Sequence, residues 1–349
     1  MDSEQLFLDF YGKVRLQVGG PRKSIEFLRS EWNDFSISSF AKTPDIFVRI
    51  ESWNAERKVS EADNQLRSGR GLRGCYKGYQ WKATINLSDS TTIVRYSAMP
   101  KSNLLLKDAV LEPLLMYRLH KKGVFGFHAS AAEFAGKAWM ICGPSKSGKT
   151  AMTLVGHRNG RPILSDDIAL VSEGSLYPYP TPPRVYLRTM RRDRLLDGLL
   201  PGDVLARLIV NGIVGFATLG QVRVPTRLTS GRLTRSNRDT TGPMPLGGLI
   251  LLRVGIGAVG VEVARNDETL RDTLASHQSE HASLFLNSIP GVVADNSQRE
   301  AFVERLIASI VKASRCICVT LRSRMPLEDW DALFQRVERC IGTIESGAK

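Results

Sequence analysis

Gly143-Pro144-Ser145-Lys146-Ser147-Gly148-Lys149-Thr150 follows the apolar run Ala138-Trp139-Met140-Ile141-Cys142 and precedes Ala151-Met152-Thr153-Leu154-Val155. The octapeptide satisfies G-x-x-x-x-G-K-[ST] in full, and its flanks read as a short buried strand before it and the first turns of a helix after it. In that setting the pattern has a mechanical meaning. Gly143 and Gly148 let the backbone turn its N–H groups toward an anion, and the helix N-terminus adds partial positive charge. Lys149 is placed to reach terminal phosphates, and the Thr150 hydroxyl is a Mg²⁺ ligand. All eight residues are assigned to a nucleotide-phosphate cradle.

Two neighbouring segments add chemistry. Residues 124–134 read as a strand, and Ala135-Gly136 as a two-residue hairpin turn into Lys137. Centring the turn there pairs Phe134 with Lys137 and, counting on, His128 with Gly143, which would stand an imidazole beside the phosphates. The other reading is a histidine packed in the sheet with a hydrogen-bonded ring. After the helix, residues 161–171 read as an apolar strand interrupted by the adjacent carboxylates Asp166 and Asp167. Acidic residues are depleted in strands and costly to bury when ionised, so such a pair needs a cation or a shared proton. Side chains alternate along a strand, so the two carboxylates diverge unless the strand ends there. That predicts two jobs, one carboxylate on Mg²⁺ and the other accepting a proton from an attacking hydroxyl. A polar strand end or turn is the alternative.

His128-Ala129, then GPSKSGKT, then Leu164-Ser165-Asp166-Asp167, in that order and at that close spacing, resemble the kinase domain of HPr kinase/phosphorylase and its relatives, which share a core with ATP-dependent phosphoenolpyruvate carboxykinase. The resemblance covers about residues 121–190 well and the rest of the C-terminal half loosely. It implies that His128 lies near the transferred phosphate, that Lys149 and Thr150 hold phosphate and Mg²⁺, that Asp166 is the base, and that Asp167 lies near the metal. It also implies an arginine at the active site, delivered by the stiff stretch 177–184, with Arg184 or Arg188 as the candidates and Arg184 taken as the catalytic one. The chain departs from the bacterial HPr kinases in two ways. It has no E-I-R-G-L-G-I stretch after the aspartate pair, and its first 120 residues do not resemble their N-terminal domain. HPr is therefore not the expected substrate. FHASAAEFAGKAWMICGPSKSGKT and LSDDIALV are more similar to HPr-kinase-like enzymes of peptide natural-product maturation, some of which phosphorylate a serine of a lasso-peptide precursor.

The expected architecture is α/β: a P-loop kinase domain of the HPr kinase/phosphoenolpyruvate carboxykinase type over residues 121–349, behind a smaller β-rich N-terminal accessory domain over residues 1–120. Strand-like segments at 13–18, 45–51, 79–87 and 92–96 and a helix-like run at 104–120 support the second part. With 349 residues, 42% of them hydrophobic, the chain is long enough for two domains and excludes a disordered protein. A net charge of +13 attracts anionic partners without choosing among nucleotide, acidic peptide, nucleic acid and membrane surface. Aromatic residues are few (7%) and not interleaved with a basic stripe, so the chain does not read as a nucleic-acid binder. The N-terminus shows no basic-then-apolar signal, and the apolar stretch 247–264, with Arg253 and many glycines, suits a hairpin better than a membrane span. Five scattered cysteines without a C-x-x-C pair read as reduced thiols, and the chain as cytoplasmic; homo-oligomerisation is left open.

Two further segments are read structurally. The polar, arginine-rich stretch 229–243 reads as a surface loop or a lid over phosphates. His277-Gln278-Ser279-Glu280-His281 fits the zinc pattern H-x-x-E-H, but both histidines fall on the three-four stripe of Leu270, Leu274 and Leu284, which reads as a packing face instead. The expected function is ATP- (or other nucleoside triphosphate-) and Mg²⁺-dependent phosphorylation of a serine on a peptide or small protein. The alternatives are a basic nucleotide-binding regulatory ATPase without a dedicated acceptor and a small-molecule phosphotransferase of the carboxykinase type.

Overall fold

Ala135 and Gly136 both take positive φ, 50° and 75°, the two-residue turn whose twist matches that of antiparallel strands. In this computed structural model the turn joins β9 (Ser130–Phe134) to β10 (Lys137–Cys142), with Phe134 opposite Lys137 and Ser130 opposite Ile141. The structure describes residues 3–52, 70–76, 79–88, 90–98, 106–144, 147–180, 183–185, 202–217, 226–227, 242–255, 259–263, 301, 304–306, 308, 315–322, 325 and 327–347. The stretches 229–241 and 277–281 and the residues Ser145, Lys146 and Arg188 lie outside the described residues. The chain is mixed α/β and divides into two compact units, the described residues up to Phe125 and those from Gly126 onward.

The first unit is built on a seven-stranded mixed sheet. Its strands are β1 (Ser3–Phe10), β2 (Val14–Pro21), β3 (Ser36–Ile37), β4 (Ile46–Ser52), β5 (Arg70–Tyr76), β6 (Tyr79–Leu87) and β7 (Thr92–Ala98), in the order β3-β1-β2-β4-β7-β6-β5. Alternation is strict: Leu6, Leu8 and Phe10, then Leu16 and Val18, then Ile46 and Val48 are buried, while their neighbours are not. Helix α1 (Arg22–Glu31) buries Ile25 and Leu28 and packs on β1 and β2. The expected helical run becomes a π-turn, Lys107–Leu111, leading into α2 (Glu112–Lys121). Lys107 is fully buried, a placement tolerated only with compensating charge. Its ammonium lies 3.1 Å from Glu112, 3.5 Å from Asp108 and 3.9 Å from Glu31, and 5.5 Å from the centre of the Trp32 ring.

The second unit holds β8 (Phe125–Phe127) from Gly126 on, β9, β10, α3 (Lys149–Arg158), β11 (Ile163–Ser165), β12 (Ala169–Ser172), β13 (Ser175–Tyr177), β14 (Arg184–Val185), α4 (Gly202–Ala217), β15 (Thr226–Arg227), β16 (Met244–Val254), β17 (Gly260–Val263), β18 (Cys316–Leu321) and α5 (Leu327–Ser346). Nine of the strands form one mixed sheet along the path β11-β9-β10-β16-β13-β12-β8, with β18 also on β16 and β17 beyond it. β10, β16 and β18 run parallel and are continuous apolar runs, as strands covered on both faces must be. On one face α3 and α5 complete the core. Met152 and Val155 from α3 and Trp330, Leu333, Phe334, Val337 and Ile341 from α5, at three-four spacing, meet Trp139, Ile141, Leu252, Val319 and Leu321 of the sheet. Gly156 lets the helices approach, since a Cβ there would lie 3.1 Å from the Phe334 ring. Arg161 ties α5 down through Glu338 at 2.7 Å.

Two expectations are corrected. The stretch 247–264 is not a hairpin: β16 and β17 do not pair with each other, because β18, far along the chain, lies between them, parallel to β16 and antiparallel to β17. Residues 161–171 are not one strand. β11 stops at Ser165 on the edge beside β9, Asp166 and Asp167 form a bend, and β12 joins β13 in a different part of the sheet. A bend relieves the conflict between paired carboxylates and a buried ladder. Among the described residues no helix is long and apolar enough to cross a membrane.

Candidate functional site

β10 ends at Cys142 and α3 begins at Lys149, with Gly143, Pro144, Ser147 and Gly148 described between them. Gly148 caps the helix at φ 100°, a conformation that costs any other residue strain, and a Cβ there would sit 2.8 Å from Trp330 Cη2. Gly143 is constrained by space: a Cβ would lie 2.5 Å from Ser147 Oγ and 2.8 Å from the Leu252 carbonyl. The Ser147 N–H donates to the Pro144 carbonyl at 3.1 Å, closing the loop. Lys149 is buried, and its ammonium donates to the carbonyls of Gly143 (2.8 Å) and Pro144 (3.2 Å), so the cation is folded over the loop it follows. Behind the loop Cys142 remains a neutral thiol: burial pushes its pKa up to about 12, against a smaller pull from Lys149. It contributes bulk without charge.

The bend after β11 brings the aspartates to the start of α3, and their side chains part. The Thr150 hydroxyl donates to Asp166 Oδ2 at 3.3 Å. On the other carboxylate oxygen, Oδ1, the hydroxyls of Ser130 and Thr153 both lie at 3.4 Å. Ser130 Oγ also makes a short hydrogen bond to the Asp166 main-chain carbonyl, and Thr153 Oγ1 donates to the Thr150 carbonyl at 3.0 Å. Burial, and next the charge of Asp167, push the Asp166 carboxyl up to about 6, partly offset by the three hydroxyls. Asp167 lies on the open side, its side chain 42% exposed, with Oδ1 3.3 Å from His128 Nδ1; the same ring nitrogen lies 3.2 Å from the Asp167 carbonyl.

His128 therefore belongs to the aspartate bend. The hairpin register expected from Ala135-Gly136 holds over the ladder, but the ladder ends at Ser130 and Ile141, before a pairing of His128 with Gly143. β8 ends at Phe127, and the chain bends at His128 before β9 begins. The contacts also fall the other way round from the roles expected for the pair. Asp166 sits at the Thr150 hydroxyl, and Asp167 faces outward beside an imidazole. Arg184 opens β14, paired with Arg227 of β15; its side chain lies outside the described residues.

Compared with known proteins, the chain matches no protein-family model and no curated protein. What the site can do rests on its geometry.

The donor set suits a hard, oxygen-loving cation. A buried carboxylate whose charge is disfavoured and a threonine hydroxyl 3.3 Å away, next to a glycine-rich anion cradle, match the way Mg²⁺ is held by one or two protein oxygens together with phosphate oxygens. Among the described residues no three His, Cys, Asp or Glu side chains converge into an all-protein metal cage. Ser130 and Thr153 are not singled out by the sequence reading. The available signals were a serine inside the apolar strand Ser130–Phe134 and a threonine one helical turn past Thr150, on the same face.

Proposed function

We propose that this protein is a Mg²⁺-dependent kinase that transfers the terminal phosphoryl group of ATP, or another nucleoside triphosphate, to a serine hydroxyl of a peptide or small protein. The observation that carries the reading is the division of the aspartate pair at the mouth of a glycine-rich loop. One carboxylate is held at the Thr150 hydroxyl and the other stands outward beside His128. A protein that only binds nucleotide needs the first arrangement and has no use for the second. The resemblance of His128-Ala129, GPSKSGKT and Leu164-Ser165-Asp166-Asp167 to HPr-kinase-like enzymes supports the acceptor class, a serine of a ribosomal natural-product precursor of the lasso type.

In this mechanism the loop amides and Lys149 hold the phosphates, with the Lys149 ammonium moving from the Gly143 and Pro144 carbonyls to phosphate oxygens. Thr150 and Asp166 are the residues that would hold Mg²⁺, which when bound neutralises charge on the phosphates. Buried Asp166 is poorly placed to meet an incoming hydroxyl. Asp167 is half exposed and held by the imidazole, so it takes the serine proton as the serine oxygen attacks the terminal phosphorus. The new O–P bond forms as the bond from phosphorus to the bridging oxygen breaks, and the nucleoside diphosphate leaves. The base role thus passes from Asp166 to Asp167, and the metal role from Asp167 to Asp166. Mass spectrometry of the serine-bearing peptide encoded beside the gene, after incubation with protein, ATP and Mg²⁺, tests the reading. One added phosphate on a serine supports it, and ATP hydrolysis with no phosphate on the peptide supports the ATPase alternative instead.

A further inference from the structure

Ser130 and Thr153 come from separate elements, a sheet strand and the first turns of α3, and both are completely buried. Each brings its hydroxyl to 3.4 Å from the same atom, Asp166 Oδ1. Ser130 in addition fixes the Asp166 main chain through its carbonyl. Polar side chains are costly in such a core unless their hydrogen bonds fix something, and here they act from two directions on one carboxylate. Each hydroxyl shares its one proton between a main-chain carbonyl, that of Asp166 for Ser130 and that of Thr150 at 3.0 Å for Thr153, and the more distant Oδ1, while Oδ2 faces the Thr150 hydroxyl at 3.3 Å. The following residue is thereby released to turn outward to His128. Hydrogen-bond partners of a ligating carboxylate set its orientation, and their loss typically weakens metal affinity about 10- to 100-fold.

We propose that Ser130 and Thr153 are positioning residues that aim Asp166 at the metal beside Thr150. This inference rests on the reading of the site as a nucleotide-metal centre and adds the two residues that divide the labour of the aspartate pair. Neither hydroxyl touches the reacting atoms; both act through Asp166.

The test is metal-dependent nucleotide binding, measured without turnover. Mn²⁺ is titrated with a non-hydrolysable ATP analogue against full-length wild type, Ser130→Ala, Thr153→Val and Thr153→Ser, following the Mn²⁺ resonance spectrum, while circular dichroism verifies the fold. Ser130→Ala and Thr153→Val are expected to raise the Mn²⁺ concentration at half-saturation roughly tenfold, the low end for outer partners of a metal ligand. Thr153→Ser, which keeps the hydroxyl, is expected to stay within about twofold of wild type. A midpoint unchanged in folded Thr153→Val, or Thr153→Ser as impaired as Thr153→Val, overturns the positioning role while wild-type binding leaves the site reading standing. Should Ser130→Ala fail to fold, the two Thr153 variants decide. Absence of metal-dependent analogue binding in wild type overturns both the inference and the site reading.

Discussion

Replacing Asp166 by Asn should make the metal-free protein more stable at neutral pH. The folded carboxyl has its pKa near 6 against an ordinary 3.8, chiefly through burial and secondly through Asp167. Between those values the folded state binds more protons than the unfolded one, so its stability falls as pH rises through the window and stays reduced above it. Because the folded carboxyl holds its proton more tightly than the unfolded one, the ionised form costs on the order of 3 kcal/mol at pH 8 and roughly half of that at pH 5. Asparagine has no charge to bury and fits the same hydrogen bonds, its carbonyl toward Ser130 and Thr153 and its amide toward the Thr150 oxygen. Urea denaturation of both proteins in a chelating buffer, at steps from pH 5 to 8, gives the difference directly. Titrating groups other than Asp167, whose charge is coupled to that of Asp166, are common to both proteins and cancel. The gap should favour Asp166→Asn and widen with pH by roughly 1 to 2 kcal/mol across that range. Added Mg²⁺ with an ATP analogue should stabilise wild type and not the variant. A variant no more stable than wild type, or a gap that does not grow with pH, would refute the claim that a buried, cation-seeking carboxylate occupies this position.

Three other outcomes are expected. Gly148→Ala must adopt φ 100° with its Cβ 2.8 Å from Trp330, so it should lose about 2 kcal/mol or more in chemical denaturation and lose nucleotide binding with it. Asp167→Asn and His128→Ala should keep ATP-Mg²⁺ affinity by calorimetry while slowing phosphate transfer by about 10²-fold or more, because they act on the acceptor proton. Thr150→Ala should instead raise the Mg²⁺ requirement for nucleotide binding in the same calorimeter, since it removes the hydroxyl that Asp166 faces.

The features legible in the sequence are those the chain makes locally. A strand, a glycine loop and a helix follow one another in residues 138–158, and Ala135-Gly136 fixes the β9–β10 register through a single turn. In the first unit β2, β4, β6 and β7 are legible from apolar alternation, while β1, whose burial alternates as strictly, is masked in the sequence by Phe7 between Leu6 and Leu8, and α1 is not legible either. Long-range choices are hidden. Nothing near Gly247 announces that β18 will slip between β16 and β17, nor that the chain after Asp167 leaves β11 for another part of the sheet. The side chain that meets Thr150 is hidden for the same reason. Strand alternation separates the two side chains only in a strand, and which one meets Thr150 depends on a bend pinned by Ser130, 36 residues earlier.

Gly143 to Thr150, with Asp166, should bind a nucleoside triphosphate together with Mg²⁺. Calorimetric titration of a non-hydrolysable ATP analogue into wild type and Lys149→Ala, each with Mg²⁺ and with chelator, tests it most directly. Saturable binding to wild type that requires Mg²⁺ and weakens at least about tenfold when the Lys149 charge is removed, a loss of about 1.4 kcal/mol or more, is expected. Binding that is absent, or equal in the two proteins and indifferent to Mg²⁺, would contradict it.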